Sequence, residues 1–175
     1  MAAIGTIYKA DKAASQANPI TNAVPFVKSS DATKAALVYF PQTSGTTSAA
    51  FRVRARGRST AGTSGNFACS LQFGTSIAAS TNTVVCAPTT ATNATKCSWF
   101  IEATFIWDST TQKLANYYLA NNASTPTLIS PVEGTAVSSV DLSSGTGNAI
   151  CAAALFGTSD SGNIAYLDEL TLEVL

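Results

Sequence analysis

At 175 residues the chain has the size of one ordinary domain, long enough to bury a real core. Apolar residues make up 46% and charged residues 11%, ten of each sign, so the formal net charge is zero and there is no electrostatic footprint for nucleic acid or an anionic membrane. Histidine is absent, which excludes a Ser-His-Asp triad, a Cys-His pair and a His-ligated metal.

The N-terminal stretch "MAAIGTIYKADKAASQ" has no apolar core of signal-peptide length, and no later run reaches the roughly 18 to 20 apolar residues of a membrane span, so synthesis in a cytoplasm is the expectation. Residues 1–33 carry lysines and prolines with little periodicity and read as an irregular arm. From residue 34 to 175 the signal is β throughout, one all-β domain. Strands are expected at "KAALVYFP", "FRVRARG", "FACSLQF", "TVVCA", "WFIEATFIW", "KLANYYLA", "VSSVDL", "AICAAALF" and "NIAYLDELTLEVL". Turn-forming clusters such as "STAGTSGN", "DSTTQ", "SSGTGN" and "TSDSGN" separate them at the spacing of a sandwich, here taken as jelly-roll-like. Alternation places Trp99, Ile101, Phe105 and Trp107 with Phe67, Leu71 and Phe73 in one core. "FGTS" recurs at Phe73–Ser76 and Phe156–Ser159, two strand ends of the same local form.

The remaining chemistry is thin. Asp168 and Glu169 are strand neighbours and should face opposite sides, which spoils them as an acid–base pair. Glu102, between Ile101 and Ala103, suits a structural ion pair. Cys69, Cys86, Cys97 and Cys151 lack metal-site spacing and read as small buried hydrophobes, with a Cys86–Cys97 bridge as the alternative. The Gly-rich loops have no phosphate-binding frame, and "DSGN" at Asp160 reads as a turn rather than a calcium site. Of the adjacent Tyr117 and Tyr118, one should face outward, a weak platform for a sugar. The expectation is a chain without enzymatic activity, cofactor or metal.

The feature that asks for an explanation is "FRVRARGR". It sets Arg52, Arg54, Arg56 and Arg58 in one row on the outward side of a strand. Two accounts stand. Carboxylates on neighbouring strands, with Glu102, Glu169 and Glu173 as the obvious donors, can neutralise the row within the chain. Alternatively the row lies at an interface with another subunit or an acidic partner, where the planar guanidinium is favoured. Nucleic acid is disfavoured because the outward face carries no aromatics between the arginines on which bases could stack. The candidate partner-binding residues are Arg52, Arg54, Arg56 and Arg58, together with Tyr8, Lys9 and Lys12 of the arm.

"FRVRARGRSTAGTSGNFACSLQFGTS", "WFIEATFIWDSTTQKL" and the terminal "AYLDELTLEVL" together resemble the small β-sandwich structural proteins of tailed bacteriophages, particularly those that decorate or cement the capsid. The resemblance implies a virion protein made in the host cytoplasm and placed on the outer capsid surface. It further implies binding to the major capsid protein, a homotrimer, an N-terminal arm that grips the shell, and no catalysis. A tail or fibre component and a carbohydrate-binding β-sandwich module are the alternatives.

Overall fold

The computed structural model describes residues 7–9, 15–17, 23–28, 30–43, 48–60, 66–78, 81–87, 96–121, 132–143, 147–157, 160 and 162–175. These form twelve strands: β1 (Ile7–Lys9), β2 (Ser15–Ala17), β3 (Val24–Pro25), β4 (Leu37–Tyr39), β5 (Ala49–Thr60), β6 (Phe67–Phe73), β7 (Thr83–Cys86), β8 (Lys96–Asp108), β9 (Lys113–Asn121), β10 (Val132–Glu133), β11 (Ala149–Phe156) and β12 (Ile164–Val174). No helix occurs among the described residues.

Two antiparallel sheets result, and they do not close into a barrel. The larger has seven strands in the order β1-β12-β5-β8-β9-β10, with β2 also paired to β12. The smaller has five, β3-β11-β6-β7, with β4 also on β11. The chain changes sheet between β2 and β3, β4 and β5, β5 and β6, β7 and β8, β10 and β11, and β11 and β12. The interleaved quartets β1-β12-β5-β8 and β4-β11-β6-β7 are the strand orders of a jelly roll, which β9 and β10 widen on one side.

The core follows the period-2 pattern. Phe51, Val53 and Ala55 of β5, the Trp99-to-Trp107 set of β8, Phe67, Cys69 and Leu71 of β6, and Ile150, Ala152, Ala154 and Phe156 of β11 form one buried cluster between the sheets. Phe73 packs against this cluster from a partly buried position. Phe40 sits edge-on to Phe51 at 5.1 Å and to Phe105 at 5.8 Å, tying the chain entering β5 to the centre.

Three expectations need correction. The segment 1–33 is not simply an irregular arm: β1 and β2 lengthen the larger sheet, β3 joins the smaller, and Phe26 is fully buried and stacked on Trp99 at 5.8 Å. The sandwich therefore begins before residue 34. "VSSVDL" is not a strand. Val137 makes a single bridge to Leu114, Ser139 takes a positive φ of 60°, and the backbone turns to close the end of the β8–β9 hairpin. There the Val140 carbonyl accepts from Trp107 Nε1 at 2.8 Å, and Val140 N donates to Gln112 O. Strand β10, by contrast, has no sequence signal beyond one valine.

Gly57 is the last inward position of the row Phe51, Val53, Ala55, Gly57, and its cross-strand partner is Trp99. A Cβ at this site would lie 2.6 Å from the Trp99 ring and would collide with the Tyr166 carbonyl. The indole thus occupies the space that glycine leaves. Gly57→Ala is expected to destabilise the fold by about 1–3 kcal/mol, the usual range for overpacking a core, and urea unfolding followed by tryptophan fluorescence measures it.

Candidate interaction face

The outward side of the larger sheet holds the arginine row. Strand β5 lies between β12 and β8, so each arginine has two neighbours: Glu173 and Thr104 beside Arg52, Thr171 and Glu102 beside Arg54, Glu169 and Phe100 beside Arg56, Tyr166 and Ser98 beside Arg58. All four guanidinium groups are ion-paired within the chain. Arg52 Nη1 meets Glu173 Oε2 at 3.2 Å, Arg54 Nε meets Glu102 Oε2 at 2.5 Å, and Arg56 Nη2 meets Glu169 Oε2 at 2.6 Å. Glu102 also reaches Arg52 Nε at 3.9 Å and so bridges two members of the row. Arg58 donates Nε and Nη2 to the two oxygens of Asp168, both at 2.8 Å, a bidentate fork. Its guanidinium carbon also stands 5.1 Å from the Tyr166 ring centroid.

Asp168 was not expected here. A β-bulge between Leu167 and Glu169 sets Leu167 opposite Gly57 and Glu169 opposite Arg56, leaving Asp168 as the extra residue. Asp168 and Glu169 consequently reach the same face, contrary to the expectation of opposite faces, and both bind arginines. The Arg58 hydrogen bonds hold the Asp168 carboxyl below its ordinary value of 3.8, and Asp168 in turn raises Arg58.

Beyond the ladder the same face turns apolar. Phe100 and Ile106 of β8 and Tyr117 and Leu119 of β9 are 36–49% exposed, and β9 sets Leu119 beside Glu102 and Tyr117 beside Thr104. Tyr118 points inward, as one of the tyrosine pair had to, and its hydroxyl donates to Ala87 O at 3.1 Å. The expectation that aromatic residues are missing from the arginine face does not hold, since Phe100 and Tyr166 flank Arg56 and Arg58. The signal was present in the even positions of "WFIEATFIW" read together with the odd positions of "KLANYYLAN".

Of the arm residues, Tyr8 and Lys9 belong to β1, in register with Leu172 and Thr171, so β12 alone separates their strand from β5. Lys12 lies outside the described residues.

The thiols are structural. Cys69, Cys86 and Cys151 are buried, and Cys86 forms no disulfide, which removes the Cys86–Cys97 bridge; the Cys97 side chain itself is outside the described residues. Cys86 Sγ donates to Asn116 Oδ1 at 3.2 Å. Burial raises the Cys86 thiol far above its ordinary value and pushes Cys151 up to about 12. Asp160 accepts from Gly162 N at 2.7 Å, the turn geometry expected for "DSGN". Among the described residues no group of three or more Cys, Asp or Glu could hold a metal ion. No protein-family model matches the chain, and no curated protein matches it.

Two outcomes follow from these groups. Because the folded Asp168 pKa lies below 3.8, its contribution to stability is complete above that value and is lost as pH falls through the lowered one. Asp168→Asn should therefore narrow the gap in urea midpoint between neutral and strongly acidic buffer by a small amount, since the pair is open to solvent. Aromatic disulfide reagents at neutral pH should leave Cys69, Cys86 and Cys151 unmodified until denaturant is added, as read by peptide mass mapping.

Proposed function

We propose that this chain is a structural protein of a virion, a capsid decoration protein that binds the major capsid protein on the outside of a phage head and has no catalytic role. The observation that carries the reading is the outer face of the larger sheet. It is built on long paired strands, its four arginines are matched by Glu102, Asp168, Glu169 and Glu173, and beside them Phe100, Ile106, Tyr117 and Leu119 are open to solvent. A rigid face with an apolar portion and a charge-neutral polar portion suits docking to another protein, where affinity comes from apolar anchors and register from polar groups. It suits nucleic acid poorly, because the row offers no net positive charge to release counterions.

The jelly-roll order adds weight by analogy only, as an architecture shared by viral capsid and lectin domains. A homotrimer on the shell fits the same reading, since symmetry multiplies contacts that are weak singly.

The test is attachment. Purified chain should bind expanded heads that lack it and co-sediment with them. Tyr117→Lys combined with Leu119→Lys should abolish co-sedimentation while leaving the melting temperature unchanged, because both side chains are already exposed. Wild-type chain that stays in the supernatant, or a double variant that attaches as well as wild type, would sink the proposal.

A further inference from the structure

The five-stranded sheet carries a different kind of site on its own outer face. A cleft of about 360 Å³ opens there between the hairpin 27–35 and the turn that follows β6, within the range of about 300–1,000 Å³ typical of small-ligand sites. Its floor is β4, where Val38 enters the core while Leu37 and Tyr39 point outward, leaving the Tyr39 side chain 53% exposed.

The charged groups around the cleft are already engaged within the chain. Asp31 Oδ2 pairs with Lys34 Nζ at 3.2 Å, Asp31 Oδ1 accepts from Thr33 N at 3.0 Å and from Thr33 Oγ1 at 2.5 Å, and Lys28 is likewise not free of partners. The hydroxyls on the two walls are engaged only in part, and in opposite senses. Thr33 Oγ1 gives its proton to Asp31 and keeps a lone pair with which to accept. Ser76 Oγ accepts from Ala78 N at 3.0 Å and keeps its proton to donate. The Ser76 wall is also fixed in place: Asn82 Oδ1 accepts from Ser76 N at 3.1 Å and Asn82 Nδ2 donates to Ser76 O at 2.8 Å. Such a pre-ordered wall limits the entropy lost on binding.

This lining disfavours three classes of ligand. An anion would have to displace Asp31 to use the charge of Lys34. A wholly apolar ligand would cover the Thr33 and Ser76 hydroxyls without replacing their hydrogen bonds to water. A planar base has two apolar faces and needs two platforms, whereas Tyr39 is the one aromatic residue in the lining among the described residues. A neutral sugar ring matches what is there. Its C–H face lies on the tyrosine between Leu37 and Ile77, and its peripheral hydroxyls can each donate or accept, so they serve the acceptor on one wall and the donor on the other. We propose that this cleft binds an uncharged monosaccharide unit in its pyranose form. It lies on the sheet opposite the proposed capsid-binding face and does not depend on how that face is used.

The probes are methyl β-D-glucopyranoside and methyl β-D-galactopyranoside, each titrated into the isotope-labelled full chain and followed by amide chemical shifts, with D-glucuronate and uracil as separate arms. At least one glycoside should shift amides of residues 33–39 and 74–77, with an affinity that does not change between low and high salt. Tyr39→Ala should weaken it by about tenfold, the loss expected when an aromatic platform is removed, while Tyr39→Phe retains it and both variants keep the wild-type melting temperature. Arg54→Gln on the other sheet should leave the affinity as it is. The proposal falls if neither glycoside moves those amides, or if Tyr39→Ala binds as well as wild type. It falls equally if glucuronate binds more tightly than both glycosides in a salt-dependent way, which would mark a site for charge, or if uracil shifts the same amides as strongly, which would mark a site for any flat ring.

Discussion

Strand β5 imposes the condition that the larger sheet must meet. Four guanidinium groups at alternate positions stand about 6.5–7 Å apart and repel unless both neighbouring strands bring carboxylates to the same face. Strand β8 does so with Glu102 and no irregularity. Strand β12 cannot do so as a regular strand. Its first half turns Ala165 and Leu167 inward, and strict alternation from there would bury Glu169, Thr171 and Glu173 and expose Leu170 and Leu172. One extra residue at Asp168 reverses the parity, so that Leu170 and Leu172 enter the core while Glu169 and Glu173 reach Arg56 and Arg52. The bulged residue itself then binds Arg58. A single irregularity serves both the apolar and the charged side of the strand.

The inward side of β5 makes a matching demand. Its side chains shrink from Phe51 through Val53 and Ala55 to Gly57, and β8 answers with Trp99 at the glycine end, beneath which Phe26 stacks. The Phe26 ring is why the first described segments cannot be detached from the sandwich as an independent arm: removing it would leave a cavity under the indole. The two sheets are thus locked at one end by Trp99 and at the other by Trp107, whose indole N–H is anchored to the Val140 carbonyl.

What the sequence made legible follows from this. Long strands with one buried face announce themselves by alternation, so β5, β6, β8, β9 and β11 stand where "FRVRARG", "FACSLQF", "WFIEATFIW", "KLANYYLA" and "AICAAALF" placed them. The Arg–Glu pairing was one of two open accounts, because alternation tells which side a residue faces but not which strand lies beside it. The bulge was readable in principle: the apolar positions of "IAYLDELTLEVL" run 165, 167 and then 170, 172, 174, a change of phase. Strands of two or three residues such as β1, β3 and β10 are too short to show any period, and they exist because a longer neighbour offers them a free edge. Residues 137–142 have strand-like composition, but Ser138 and Ser139 bend the chain and its carbonyls are used to close a hairpin end.

The outer faces of the two sheets have become unlike each other. On the smaller sheet Ser70, Gln72, Cys151 and Ala153 are buried although they lie opposite the core, and Gln72 and Asn82 tie together the segments that cover them, through Ala23 O and the turn at Ser76. Among the described residues of that face, Tyr39 and Val84 stay exposed. The larger sheet keeps its face uncovered, and its two halves present a partner with different desolvation terms. Covering the ladder means removing water from four arginines and four carboxylates whose pairing energies in solvent are small, a step that rarely yields net affinity. Covering Phe100, Ile106, Tyr117 and Leu119 removes apolar surface from water at roughly 25 cal/mol per Å² in favour of binding. The centre of any protein contact on this face therefore belongs on β8 and β9, with the arginine ladder at its rim fixing orientation rather than supplying strength.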